Sequence, residues 1–259
     1  MIVTTTRKAK HALGPEAEQT ARQRGWCYVP RDKQSVPDLL TSDEEVLVLS
    51  NARDMLYHPH APDDPFFFHP SMAWLRRHEL KHDPLTLAAQ AEEGMSVLDA
   101  TLGLGADSIL FSMLTGRSGQ VTSLEINAGV AEVVARGLQK EVTKDQEFNE
   151  AMRRICVKAK SYETYIMSLP ENAFDIIYFD PMFEQSYETS ASIQPLKVYA
   201  EFSPLNETVL RHACRAAQHR VVLKDRADSP RFQQLGITNV LHTNRAVRYG
   251  WIDVRGSRL

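Results

Sequence analysis

The sequence predicts an α/β fold: a doubly wound, mostly parallel sheet of seven strands, preceded by a small N-terminal α+β lobe. Three observations carry that expectation. From about residue 95 onward, short apolar runs alternate with helix-length stretches, the pattern of βαβ units. One of these runs, Phe174–Phe179, is apolar enough to be buried on both faces, as a central parallel strand must be. Ahead of it, Pro59, Pro62, Pro65, Pro70 and Pro84 punctuate a segment with few long periodic runs. The expected division is residues 1–90 for the lobe and 91–259 for the sheet domain.

In the lobe, Pro15–Gly25 is predicted as a helix opened by proline and closed by glycine. Val46–Leu49 and Phe66–Phe68 are predicted strands, and Ser71 the N-cap of a short helix through Arg77. In the sheet domain, Val97-Leu98 is the core of a first strand, followed by a glycine-rich turn and a helix from about Ala106 to Leu114. Val121–Ile126 is the second strand, with a helix from about Ala128 to Lys140 after it. Ile155–Val157 and Phe174–Phe179 are the third and fourth strands. Leu205–Ala217 is a helix and Arg220–Leu223 begins the fifth strand. Val240–His242 and Val247–Val254 close the sheet as a pair around Thr243-Asn244. A ligand of such a sheet sits beyond the carboxyl ends of the strands, where the strand order reverses.

Composition excludes several function classes. The 259 residues are 43% hydrophobic and 24% charged, ordinary for a globular chain. No apolar run approaches the ~20 residues of a membrane helix. The first residues, MIVTTTRKAKHALG, lack the apolar stretch of a secretory signal. Cys27, Cys156 and Cys214 are odd in number and widely spaced, which suits a reducing compartment and neither a disulfide framework nor a zinc site. The expected location is the cytoplasm. The nine histidines lack ligand spacing, and His58-Pro59-His60 reads as a loop, so no metal is expected. The net charge of −3 is unevenly spread. From Arg211 onward there are ten Lys/Arg against three Asp/Glu, so the first 210 residues carry −10. Such asymmetry can mark a nucleic-acid face on an otherwise acidic protein.

Four motifs carry chemistry. In Val97-Leu-Asp99-Ala-Thr-Leu-Gly103-Leu-Gly105-Ala106-Asp107-Ser108, a strand runs through a glycine-rich turn into a helix. Gly103 and Gly105 permit close backbone approach, and the N–H groups at the helix start favour an anionic ligand group. Ser108 stands where the nicotinamide fingerprint needs its third glycine. Glu125 closes the next strand, 22 residues after Gly103, where a carboxylate can accept both hydroxyls of a ribose. Lys160-Ser161-Tyr162 forms the turn after the third strand. The fourth strand ends in Asp180-Pro181-Met182-Phe183. An amine conjugated to a ring or carbonyl is a poor nucleophile. A carboxylate and a backbone carbonyl that accept its two N–H bonds fix it in line with an electrophile and stabilise the charge that grows on it.

Asp99, four residues ahead of Gly103, completes a D-x-x-x-G-x-G pattern that resembles S-adenosylmethionine (AdoMet) methyltransferases. Asp180-Pro-Met-Phe183 is similar to the (Asp/Asn)-Pro-Pro-(Tyr/Phe) of amino-group methyltransferases. Taken in order with Leu124-Glu125 and Ala159-Lys-Ser161, these motifs resemble bacterial small-subunit rRNA guanine-N2 methyltransferases of the J type. The methionine of Asp-Pro-Met-Phe is the more specific mark. The resemblance covers about residues 95–255 and extends weakly to Ser71–Arg77; the first ~85 residues match poorly, and a sister group with another target fits as well.

The resemblance implies a Rossmann-like methyltransferase fold with AdoMet as cofactor. Cofactor contacts would come from Ala106, Asp107, Glu125, Ile126, Lys160, Ser161 and Asp180, beside Asp99, Gly103 and Gly105 of the loop. Asp180 and the Pro181 carbonyl would orient the amine and Phe183 would stack on the base. Arg76, Arg77, Lys197, Lys224 and Arg226 would meet the substrate. The family's loop after the Asp-Pro-Met-Phe motif is lysine-rich, whereas here residues 184–199 carry Lys197 alone against Glu184 and Glu188. The expected activity is methylation of a guanine N2 amine in small-subunit rRNA, with rRNA or a ribosomal particle as partner and no membrane. Adenine N6, a protein glutamine amide, or a non-catalytic AdoMet- or RNA-binding module are the alternatives.

Overall fold

The computed structural model describes residues 1–32, 34–40, 44–181, 194–199, 205–241 and 246–254. By its contacts the chain forms two compact units. The first comprises Met1–His69, Asn127–Glu141 and, among the described residues, 194–199. The second holds the other described residues from Pro70 onward. The first segment of the first unit ends at His69 and the second unit begins at Pro70.

The first unit is built on β1 (Ile2–Thr5), β2 (Cys27–Tyr28), β3 (Val46–Leu49), β4 (Met55–His58) and β5 (Ala61–Phe66), in the order β2-β1-β3-β4-β5. β1 runs parallel to β2 and β3, and β4 runs antiparallel to β3 and β5. The expected strand Val46–Leu49 is present and wholly buried. The strand expected over Phe66–Phe68 instead spans Ala61–Phe66. Its Pro62 and Pro65 are tolerated because β5 is an edge, where a missing N–H need not break a ladder. The helix expected to open at Pro15 starts at Lys10 and carries Pro15 inside it; it ends, as expected, at Gly25 in the left-handed conformation with φ 70°. The helix Ala128–Lys140 belongs to this unit. Its Arg136 and Lys140 both hold the buried Asp54, at 2.7 and 2.9 Å.

The second unit contains β6 (Ser96–Asp99), β7 (Gln120–Glu125), β8 (Ile155–Ala159), β9 (Phe174–Phe179), β10 (Ala217–Arg226), β11 (Asn239–Leu241) and β12 (Val247–Asp253). Their order is β11-β12-β10-β9-β6-β7-β8. All pairings are parallel except those of β12, which is antiparallel to β10 and β11. This is the seven-stranded, mostly parallel sheet that the sequence predicts. β9 is its central strand, and Ile176, Ile177, Tyr178 and Phe179 have no exposed surface. From β6 the chain steps outward to β7 and β8, returns to β9, and then steps the other way to β10. The order therefore reverses between β6 and β9, whose carboxyl ends are Asp99 and the residue before Asp180.

Alternation along the strands assigns the faces. Ile177 and Phe179 join Leu98, Val221 and Leu223 in a core with Val209, Leu210 and Ala213 of the helix Glu207–Ala216. Tyr178 points the other way and meets Phe111 of the helix Ala106–Thr115 edge-on, with ring centroids 5.2 Å apart. Ahead of the sheet, the short helix Ser71–Arg76 has Pro70 at its N-cap, so Ser71 is its first residue and not its cap. The turn expected at Thr243-Asn244 lies outside the described residues. Among the described residues no helix is long and apolar enough to cross a membrane.

Packing around β12 gives a stability prediction. A Cβ on Gly250 would lie 2.7 Å from Phe232 Cδ1 and 2.8 Å from Ile237 Cγ2. Gly250→Ala is expected to destabilise the protein by ~1–3 kcal/mol, the usual cost of overpacking a filled core. The readout is a lower urea midpoint at an unchanged slope. An unchanged midpoint would show that this contact is not tight.

Candidate active site

The carboxyl ends of the central strands bring most of the predicted residues to one rim. Read along the sheet from β8 to β10, the rim carries Lys160-Ser161, then Glu125, the loop after Asp99, Asp180, and Lys224. Backbone bonds tie these segments together. The Lys160 N–H donates to the Glu125 carbonyl at 2.8 Å, and the Leu102 N–H donates to the Leu124 carbonyl at 2.8 Å. The Ala100 N–H donates to the Tyr178 carbonyl at 2.8 Å. The Asp180 N–H donates to Thr101 Oγ1 at 2.6 Å, so the cofactor-type loop and the Asp-Pro turn fix each other.

Asp99 shapes the loop. One carboxylate oxygen accepts the Thr101 N–H at 3.0 Å and the other accepts the Ser108 hydroxyl, which also meets Ser123 Oγ at 2.8 Å. The serine at the third-glycine position is thus the anchor of the turn. Gly103 and Gly105 adopt φ of 49° and 74°, the left-handed region that suits glycine, and Gly105 caps the helix Ala106–Thr115. Burial pushes the Asp99 carboxyl up to about 7, against its hydrogen bonds to Ser108 and Thr101 and with the repulsion of Asp107 and Asp180.

Beside the loop lies a buried ionic cluster. Asp107 accepts from Arg76 Nη1 through Oδ1, and from the Tyr178 hydroxyl at 2.7 Å through Oδ2. Lys224 Nζ stands 3.3 Å from that second oxygen and 2.5 Å from Asp180 Oδ2. Arg76 turns its other edge to Asp83 as a two-pronged pair at 2.7 and 2.8 Å. Strand alternation explains the meeting. Asp180 lies two residues beyond Tyr178, and Lys224 two beyond Val222, the β10 partner of Tyr178, so all share one face. Burial by itself would raise the Asp107 carboxyl. Lys224 and Arg76 overcome that and hold it well below the usual carboxylate range. Asp180 is held above its ordinary value, by burial first, with Asp107 adding to the rise and Lys224 opposing it. Lys224 remains firmly protonated: burial disfavours its charge, but Asp107 and Asp180 outweigh that.

Among the predicted cofactor positions, Asp99, Gly103, Gly105, Ala106 and Asp107 share the loop and helix start. Glu125 is half-buried at the end of β7, Ile126 is exposed, and Lys160-Ser161 forms the exposed-to-half-buried turn that opens the helix Tyr162–Ser168. Their donor set fits AdoMet: left-handed glycines that let a ligand reach backbone, N–H groups at the start of a ten-residue helix, and a strand-end carboxylate. Among the predicted catalytic residues, Asp180 and the buried Pro181 stand at the rim, and Phe183 lies outside the described residues.

Four of the predicted substrate residues have carboxylate partners within the protein. Arg76 gives its guanidinium to Asp83 and Asp107. Arg77 stacks on Trp74, 3.2 Å from the ring centroid, and reaches Asp145 at 3.3 Å. Lys224 is committed to Asp107 and Asp180, and Arg226 grips Asp228 at 2.6 and 2.9 Å. Lys197 falls in the first unit. Sequence reasoning missed Asp83, Tyr178 and Thr101. A lysine ending the apolar run Val221-Val222-Leu223 was the available signal for the cluster.

Residues 37–251 match the family model described as "Putative SAM-dependent methyltransferase", SAM being S-adenosylmethionine. The chain belongs to this SAM-dependent methyltransferase family. It is an enzyme family whose cofactor is AdoMet, as the loop and rim chemistry suggested. The protein named "Uncharacterized protein YpiP" of Bacillus subtilis (strain 168) is 40% identical over 257 residues, 98% of this chain and 99% of that protein. "Ribosomal RNA small subunit methyltransferase J" of Hydrogenovibrio crunogenus is 33% identical over 158 residues, 58% of this chain and 55% of that protein. The chain therefore spans about half the length of that relative. The SAM-dependent methyltransferase NGO1261 from Neisseria gonorrhoeae shares the fold over 99% of this chain and 97% of that one, with a TM-score of 0.64 and 19% identity. The J-type resemblance of the motifs and the α/β methyltransferase fold are both upheld.

The state of Asp99 yields a prediction for this methyltransferase. Its carboxyl titrates higher folded than unfolded, so the unfolded chain releases the proton first as pH rises, and stability falls across that interval. Asp99→Asn removes the effect and retains an oxygen for the Thr101 N–H. The variant's melting temperature is expected to gain on the wild type between about pH 4 and about pH 7 and then hold its lead. Parallel melting curves across that range would contradict the buried-acid assignment.

Proposed function

We propose that this methyltransferase transfers a methyl group from AdoMet to the exocyclic N2 amine of a guanine in small-subunit rRNA. The observation that carries the reading is the placement of Asp180. It stands at the reversal of strand order, beside the glycine loop, with Oδ2 held by Lys224 and no hydrogen bond to Oδ1 among the described residues. Oδ1 is thus an acceptor for an amine N–H, and the Pro181 carbonyl is the second. Phe183 supplies the face on which the base stacks.

AdoMet supplies a methyl on a positively charged sulfur. Asp180 and Pro181 orient the amine lone pair toward that methyl, and the carboxylate charge favours the cation forming on nitrogen. The new N–C bond forms as the S–C bond breaks, and the surplus proton then leaves the nitrogen for solvent. Asp180 need not be a strong base. Glu125 accepts the ribose hydroxyls, Ile126 packs on the cofactor, and Lys160-Ser161 borders the adenine.

The guanine and rRNA assignment is supported by the similarity to the J-type relative and by the basic C-terminal stretch. A ribosomal particle in the cytoplasm is the corresponding partner and location.

Calorimetry with AdoMet and a radiolabelled-methyl assay on rRNA from cells lacking the gene test the reading. Asp180→Ala is expected to abolish incorporation while leaving AdoMet affinity nearly unchanged. Glu125→Ala is expected to weaken AdoMet binding by ~1–3 kcal/mol, the scale of a lost buried hydrogen-bonding partner. Sustained incorporation by Asp180→Ala would overturn the amine-orienting role, and unaltered affinity in Glu125→Ala would overturn the ribose role.

A further inference from the structure

We propose that Lys224 is a positioning residue: anchored by Asp107, which Arg76 holds in turn, it keeps Asp180 ionised and directs one of its carboxylate oxygens to the amine. The inference rests on the amine-accepting role given to Asp180 above. It departs from the expectation that Lys224 and Arg76 face substrate phosphates.

The geometry is a chain of alternating charges. Asp83 holds Arg76, Arg76 holds Asp107, Asp107 holds Lys224, and Lys224 holds Asp180. The groups come from five places in the sequence and all lie in the second unit. Asp83, Asp107, Arg76 and Lys224 are largely buried, whereas Asp180 keeps about a quarter of its side chain exposed at the cleft end. The chain therefore runs from the interior to the reacting edge. Both oxygens of Asp107 are engaged within the protein: one takes Arg76, and the other takes Tyr178 and Lys224. These contacts fix where Lys224 sits, and the 2.5 Å contact from Lys224 fixes Asp180 Oδ2. Oδ1 is the oxygen left for substrate.

The charge environment shows why Asp180 needs this partner. The titratable groups around it are Asp99 on β6, Asp107 and Arg76 on the two helices, Tyr178 on β9, Lys224 on β10 and Tyr249 on β12. Asp107 disfavours a further negative charge on Asp180. Lys224 is the cation in hydrogen-bond contact with Asp180, and Arg76 acts from behind Asp107. Without Lys224 the carboxyl of Asp180 would take a proton at higher pH, and a protonated acid cannot stabilise a cationic nitrogen. An opposite charge within ~4–6 Å displaces a carboxyl by about 1–3 pH units.

The test compares wild type with Lys224→Met and Lys224→Arg. The methyl-transfer assay on rRNA from cells lacking the gene gives the pH–rate profile, and 13C-aspartate NMR gives the titration of Asp180, assigned with Asp180→Asn. Lys224→Met is expected to move the acidic limb of the rate and the Asp180 titration upward together by at least about one pH unit. AdoMet affinity should stay within about threefold, and Lys224→Arg should return both limbs toward wild type. A merely structural role would lower the rate at every pH without moving the limb. An unmoved titration in folded Lys224→Met would overturn the proposal. If that variant does not fold, the wild-type Lys224 ammonium decides. Its 15N resonance is expected to be protected from exchange and to change in Asp180→Asn; indifference to that substitution overturns the proposal. Activity in Asp180→Ala would instead sink the function reading, whatever Lys224 does.

Discussion

A carboxylate taken out of water costs several kcal/mol unless opposite charge accompanies it. Asp107 is such a group, almost fully buried, and it is satisfied by a guanidinium, a phenol and an ammonium at once. Much of the site depends on this one arrangement. Arg76 ties the helix Ser71–Arg76 to the helix Ala106–Thr115. Tyr178 ties that helix to the central strand β9, and Lys224 ties it to β10. Removing one member leaves the others as uncompensated charges, a loss of about 3–5 kcal/mol for a buried pair. The cluster thus joins the floor of the site to its reacting edge.

The sheet topology determines where that cluster can act. β6 and β9 are neighbours at the reversal of strand order, so the loop after Asp99 and the turn at Asp180 emerge side by side. Two short bonds lock them: the Ala100 N–H to the Tyr178 carbonyl and the Asp180 N–H to Thr101 Oγ1. A loop suited to a charged sulfonium ligand and a carboxylate suited to an amine are thereby placed against each other. Family membership gives the first its chemistry. The second is in direct contact with Lys224.

Much of this was legible in the sequence, for local reasons. The apolar runs and glycine turn located the strands of the sheet, because strand burial and turn geometry act over a few residues. Asp99, Glu125 and Asp180 were readable because each closes a strand. The cluster was not readable, since Arg76 and Asp107 are 31 residues apart and Lys224 lies 117 beyond Asp107. Charge by itself suggested phosphate contacts for Arg76 and Arg77, but the fold supplies Asp83, Asp107, Asp145 and the face of Trp74. Part of the basic C-terminal stretch is likewise paired within the chain: Arg220 with Asp253, Arg226 with Asp228 and Arg231 with Asp225. In the N-terminal part, β1, β2 and β4 are two to four residues long, too short to show a period.

The proposed reaction at the Asp180 edge of this site is methylation of a guanine amine in ribosomal RNA. Mass spectrometry of rRNA nucleosides from cells with the gene, without it, and complemented with wild type or Asp180→Ala measures it. Deletion is expected to remove N2-methylguanosine from small-subunit rRNA, restored by wild type and not by Asp180→Ala. Unchanged N2-methylguanosine, or loss of a methylated adenosine in its place, would contradict it.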